Sequence, residues 1–129
     1  MRKILIDTNI YSDAFKGDLD VVATLRRVDY IGISAVSIGE LLSGFKGGGR
    51  ESQNRIELGE FLDSPRVRLC VVDENTAEYY SEILNQLKAQ GTPIPTNDIW
   101  IAAVARQYGL ALFTRDKHFD NIPGMLLFK

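Results

Sequence analysis

Lys3-Ile4-Leu5-Ile6-Asp7-Thr8-Asn9 is the stretch on which the fold turns. A short β-rich run ends in an acid, and residues 9–15 then read as a short helix. The same alternation recurs along the chain. Residues 18–28 have Val21, Val22, Leu25 and Val28 on one helical face, and residues 30–33 suit a strand. Ser34 is placed to cap a helix carrying Ile38, Leu41, Leu42 and Phe45. Gly47-Gly48-Gly49 reads as a linker, because no strand precedes it and no Gly-Lys-Ser/Thr follows. A polar helix over 51–62 and a strand over 67–72 come next. Asn75-Thr76-Ala77-Glu78 resembles a capping box opening a helix with Ala77, Tyr80, Leu84 and Leu87 at helical spacing, closed by Gly91. Residues 98–108 form a nearly all-apolar helix stopped by Gly109, which must lie between other elements. Strands are expected at 111–114 and, briefly, at 125–128.

Repeated strand–helix alternation predicts the α/β class: a three-layer α/β/α sandwich around a parallel sheet of four to five strands. The 129 residues suit a single domain, 1–129, with no internal repeat or low-complexity tract. Hydrophobic residues make up 45% and charged residues 25%, the balance of a globular chain. The longest apolar runs, 69–72 and 99–105, fall far short of the ~20 residues of a membrane span. Asp7 also interrupts the apolar start where a signal peptide would continue, so a cytoplasmic location is expected. The single cysteine, Cys70, excludes an internal disulfide and a cysteine-based zinc site, and its apolar neighbours suit an inert buried thiol.

A formal net charge of −2 argues against grip on nucleic acid by general basicity. A nucleic-acid enzyme of this charge must attract phosphate locally, with a few placed cations or bound metal. In parallel α/β sheets ligands bind at the carboxyl ends of the strands. Asp7 follows the first strand, Glu40 lies in the helix after the second, Asp98 starts the buried helix, and Asp116 follows the last long strand. Each has an ordinary structural use: Asp7 as a helix cap, Asp98 at a positive helix end, Asp116 in a turn. Glu40 has no cation three or four residues away, where Val36, Ser37, Ser43 and Gly44 stand. Gathered at one edge, such carboxylates repel unless something positive sits among them. Mg²⁺ or Mn²⁺ is the natural filler, and would lower the pKa of a bound water and neutralise charge on a phosphodiester.

Ile6-Asp7-Thr8-Asn9, Ser37-Ile38-Gly39-Glu40-Leu41, Asn97-Asp98-Ile99-Trp100-Ile101-Ala102-Ala103 and Thr114-Arg115-Asp116-Lys117-His118-Phe119 stand in the order seen in PIN domains. The chain most resembles the bacterial and archaeal VapC toxins, and 119–124 also looks like that family's tail. The resemblance implies a helix-sandwiched parallel sheet and an Mg²⁺- or Mn²⁺-dependent endoribonuclease acting on RNA as the toxin of a toxin–antitoxin pair. It implies frequent homodimers and a VapB-like antitoxin whose tail blocks the acidic cleft. Carried over by position, Asp7, Glu40, Asp98 and Asp116 match the family's acidic quartet as catalytic and metal-binding residues. Thr8 and Thr114 match its supporting hydroxyls, and Asn9 stands where many relatives carry Asn.

His118 is better suited to packing or hydrogen bonding in the last turn than to general-base work. Tyr80 and Trp100 suit core or dimer surface rather than base stacking. One alternative is phosphoryl transfer through Asp7; Asn9 occupies the position where such phosphatases want a second Asp. Another is a non-catalytic RNA-binding module of the same fold, against which the intact quartet speaks.

Overall fold

Alternation along the first strand divides the molecule into two sides. In β1 (Lys3–Ile6), Ile4 and Ile6 join one apolar cluster while Leu5 joins the other, as the two-residue period of a strand requires. The computed structural model describes residues 2–129. Its further elements are α1 (Thr8–Phe15), α2 (Leu19–Arg26), β2 (Tyr30–Ser34), α3 (Ala35–Lys46), α4 (Glu51–Leu62) and β3 (Val67–Cys70). They continue with α5 (Glu74–Gln90), α6 (Thr96–Tyr108), β4 (Ala111–Phe113) and a 3-10 turn at Lys117–Asn121. The strands form one parallel sheet in the order β3-β2-β1-β4. Helices α5 and α6 supply the cluster holding Leu5 and Leu112; α1 to α4 supply the one holding Ile4, Ile6, Ile31 and Ile33. The three-layer α/β/α arrangement is therefore the one expected.

Helix α6 explains how the layers lock. Five consecutive residues from Ile101 to Ala105 are at most 1% exposed. Their small and apolar side chains let the helix sit under the sheet with α5 packed beside it. Gly109 adopts φ 64° and Gly91 φ 71°, left-handed conformations in which each ends its helix and turns the chain.

Several boundaries differ from the sequence expectation. The cap of α5 is Asp73, not Asn75: its Oδ1 accepts from the amides of Asn75 and Thr76, at 3.0 and 3.1 Å. The Thr76 hydroxyl in turn accepts from the Asp73 amide at 3.0 Å, completing the box two residues earlier than the pattern suggested. Helix α6 starts at Thr96, which puts Asp98 within its first turn. The strand expected over 67–72 stops at Cys70, and Leu69, Val71 and Val72 are exposed because β3 is an edge strand. The apolar run therefore does not mark a buried element, although Cys70 is buried (1% exposed), and burial pushes its thiol pKa up. The strand expected at 125–128 shrinks to a single parallel bridge, Leu112 with Leu127. No helix of the described residues is long and apolar enough to cross a membrane.

Leu112, wholly buried in β4, and Leu126, 60% exposed, form a matched test of this packing. Leu112→Ala should cost about 2–5 kcal/mol in urea unfolding, whereas Leu126→Ala should stay within about 0.5 kcal/mol.

Candidate metal centre

Parallel pairing of β1 with β2 and with β4 sets the site at one edge. Ile6 lies opposite Ile33 and Phe113, so the residues that follow all emerge at the carboxyl end. Asp7 leaves β1 there and caps α1. Its Oδ1 accepts from the Ile10 amide at 2.9 Å, while its Oδ2 accepts from the Thr114 hydroxyl just past β4. The structural and functional readings of Asp7 thus coexist, one on each oxygen. The Thr114 oxygen also accepts from the Asp116 amide at 2.9 Å, fixing the turn that carries the second acid. Asp116 caps the 3-10 turn through the His118 amide, at 2.9 Å.

The remaining acids come from α3 and α6. Glu40 accepts from the Thr8 hydroxyl at 2.6 Å and from the Asn97 side-chain amide at 3.3 Å. Its needed partners are neutral donors. Asp98 stands one residue further along α6, its carboxylate 3.0 Å from Nδ1 of His118. A small cleft of about 90 Å³ is lined by Asp7, Thr8, Asn9, Glu40, Asp98, Ile101 and Asp116. All four predicted acids and both predicted neighbours of Asp7 border it. Thr114 acts from behind, through Asp7.

His118 was expected to pack or hydrogen-bond in the last turn, and it does hydrogen-bond. The partners, however, are two of the acids: Nδ1 also lies 3.2 Å from Oδ1 of Asp116. Asp98, Asp116 and His118 each offer a ligand atom within 4.8 Å of the other two. The contact of Asn97 with Glu40 likewise went unread in the sequence. The only hint for His118 was its place two residues after Asp116 in a turn, where side chains fold back on one another.

No lysine or arginine among the described residues lies within 4.0 Å of these four acids. Arg115, between Thr114 and Asp116, is turned away to Asp13 and Asp18, at 3.3 and 2.7 Å. Its guanidinium is the main reason that the Asp18 pKa falls to about 2. Asp7 is 4% exposed. Burial raises its pKa most, Thr114 and the Ile10 amide lower it, and Asp116 and Asp98 raise it again. Asp98 is also raised, first by burial; the His118 bond opposes this, and Asp116 and Glu40 add to it. Hard oxygen donors, crowding and the lack of a lysine or arginine partner among the described residues fit a divalent cation.

A family model for the PIN domain matches residues 4–125. The chain belongs to the PIN domain family. Ribonuclease VapC4 of Mycobacterium tuberculosis is 30% identical over 126 residues, covering 95% of this chain and 93% of the relative. VapC ribonuclease Y4jK of Sinorhizobium fredii is 32% identical over 122 residues, 88% and 86% of the two chains. The crystal structure of VapBC2 from Rickettsia felis bound to a promoter DNA fragment superposes with TM-score 0.89 at 27% identity, covering 98% and 97%. VapBC-1 from nontypeable Haemophilus influenzae gives TM-score 0.87 at 26% identity, with the same coverage. In this PIN domain the fold assignment is therefore independent of the site geometry.

The raised carboxyls have a stability consequence. A group whose pKa is higher folded than unfolded stabilises fully below its unfolded value, and loses that contribution as pH rises through the folded value. For Asp7 and Asp98 the loss begins above the ordinary aspartate value of 3.8. In chelator, the melting temperature should fall as the pH rises above the ordinary aspartate value of 3.8. Asp7→Asn, which keeps a capping side chain, should flatten that fall and melt higher than wild type at the upper pH. An unchanged slope in the variant would contradict the crowding described.

Proposed function

We propose that this PIN domain is an endoribonuclease of the VapC type, a toxin whose acidic cleft holds Mg²⁺ or Mn²⁺. One observation carries the reading. Asp7, Glu40, Asp98 and Asp116 border one cleft without a basic side chain, in a chain whose 30–32% identical relatives are named ribonucleases. Asp7, Glu40, Asp98 and Asp116 would hold the ion. When bound, the ion lowers the pKa of water and offsets the charge building on phosphate and leaving oxygen.

The chain's own residues prepare that chemistry. Thr114 donates to Asp7 and fixes which oxygen faces the cleft, since Oδ1 is occupied by the helix cap. Thr8 and Asn97 orient Glu40 in the same way. Asn9, exposed at the start of α1, borders the cleft where substrate enters. In the cleft the ion would offset part of the charge of the carboxylates, which lets a phosphodiester approach an otherwise repulsive site.

A VapB-like antitoxin that covers the acidic cleft belongs to the same proposal, because the solved neighbours are VapBC assemblies. A separate groove of about 240 Å³ offers Tyr11, Phe15 and Phe45 with Lys16 and Arg50 at its rim, chemistry suited to an amphipathic segment of such a partner. A homodimer is proposed too, with the stacked, half-buried Tyr80 and Trp100 rings (4.0 Å between centroids) as part of its surface.

Cleavage of single-stranded RNA should fall by more than ~100-fold in Asp7→Asn and in Asp98→Asn, with the circular dichroism spectrum retained. Thr114→Val should lose ~10–100-fold through the orientation of Asp7. Product ends should be 5′-phosphate and 3′-hydroxyl. Cyclic phosphate ends, the mark of attack by the ribose 2′-hydroxyl, would overturn the water-attack mechanism.

A further inference from the structure

The acidic site is not purely oxygen. The 3-10 turn that follows Asp116 folds the only histidine of the sequence back over the carboxylates. The turn is pinned at both ends: Asp116 Oδ1 accepts from the His118 amide at 2.9 Å, and the Ile122 amide donates to the Phe119 carbonyl. Phe119, 1% exposed, anchors the backbone of the turn in the core, while the His118 side chain is about half exposed. Its Nδ1 lies 3.0 Å from Oδ2 of Asp98 and 3.2 Å from Oδ1 of Asp116.

Those spacings say more than proximity. Donors bound at about 2.1 Å and at right angles around one ion stand about 3.0 Å apart. The two nitrogen–oxygen separations match that edge length. Both separations are also hydrogen-bond distances, and a single nitrogen here faces two carboxylates at once, as a ligand sharing one ion with them would.

We propose that His118 is a metal ligand through Nδ1, alongside Asp98 and Asp116, and that this nitrogen biases the site toward Mn²⁺ over Mg²⁺. The inference rests on the metal-dependent nuclease reading and deepens it. Mg²⁺ prefers oxygen and holds its waters, whereas an imidazole donor favours the later divalent ions. An all-oxygen quartet would discriminate far less between the two. His118 is thereby a specificity-determining residue for the cofactor, distinct from the residues that orient the acids.

The test uses the full chain without a histidine tag, loaded with Mn²⁺ alone at pH 8. Electron spin-echo spectra of the bound ion should show ¹⁴N modulation. With one histidine in the sequence the signal has a single side-chain imidazole source, and it should vanish in His118→Gln. Titration followed by melting temperature should give a Mn²⁺/Mg²⁺ affinity ratio that falls at least ~10-fold in His118→Gln. His118→Asp should restore affinity for both ions without restoring the preference. Mn²⁺ that binds, is displaced by Asp98→Asn and shows no nitrogen modulation in wild type would overturn the proposal and leave the nuclease reading intact. An unchanged affinity ratio in His118→Gln would also overturn it. Absence of any Mn²⁺ binding would remove both readings, and because the wild-type spectrum comes first, a poorly folding variant does not obscure the outcome.

Discussion

Like charges held close together without a counter-charge are unfavourable, and the carboxyl edge of this sheet is built around that condition. Burial moves the carboxyls of Asp7 and Asp98 upward, and the neighbouring acids add to that shift. No lysine or arginine among the described residues relieves them, since the nearest arginine in sequence, Arg115, is engaged by Asp13 and Asp18; the His118 imidazole alone touches Asp98 and Asp116. The acids stay because other forces place them. The parallel register puts the end of β1 beside the end of β4, and the apolar body of α6 is buried so deeply that its first turn cannot swing away. Core packing therefore holds a geometry that electrostatics alone would scatter, and a divalent cation converts the same geometry from repulsive to attractive.

The hydrogen bonds at this edge serve the fold and the site together. Asp7 ends a strand, starts a helix through Oδ1 and turns Oδ2 to Thr114. Asp116 caps the last turn through the same oxygen, Oδ1, that faces the His118 imidazole. Capping a helix and bordering the acidic cleft are therefore compatible demands on Asp7, not competing explanations of the same residue.

Much of this was legible in the sequence. The layered fold followed from strand–helix alternation, and the four acids were found because each lies just after a strand or on a helix facing a strand end. Other features lay beyond one-dimensional patterns. The run Leu69-Cys70-Val71-Val72 reads as buried, yet its strand is the sheet's edge, and strand order is set by long-range pairing. The cap of α5 was displaced because Asp73 and Thr76 make the reciprocal bonds that a pattern centred on Asn75 imitates. His118 escaped because a 3-10 turn, unlike a helix, gives no periodicity from which to infer which way a side chain folds.

The bond from Thr114 to Asp7 joins residues 107 positions apart in sequence. During synthesis the Asp7 side of the site is made long before the Thr114 side. A chain still attached to the ribosome, and so surrounded by RNA, carries Asp7 on an unfinished sheet until β4 and the turn bearing Asp116 have emerged. Completion of the acidic cleft is in this way timed by chain topology, and a product that stops before β4 lacks Thr114 and Asp116.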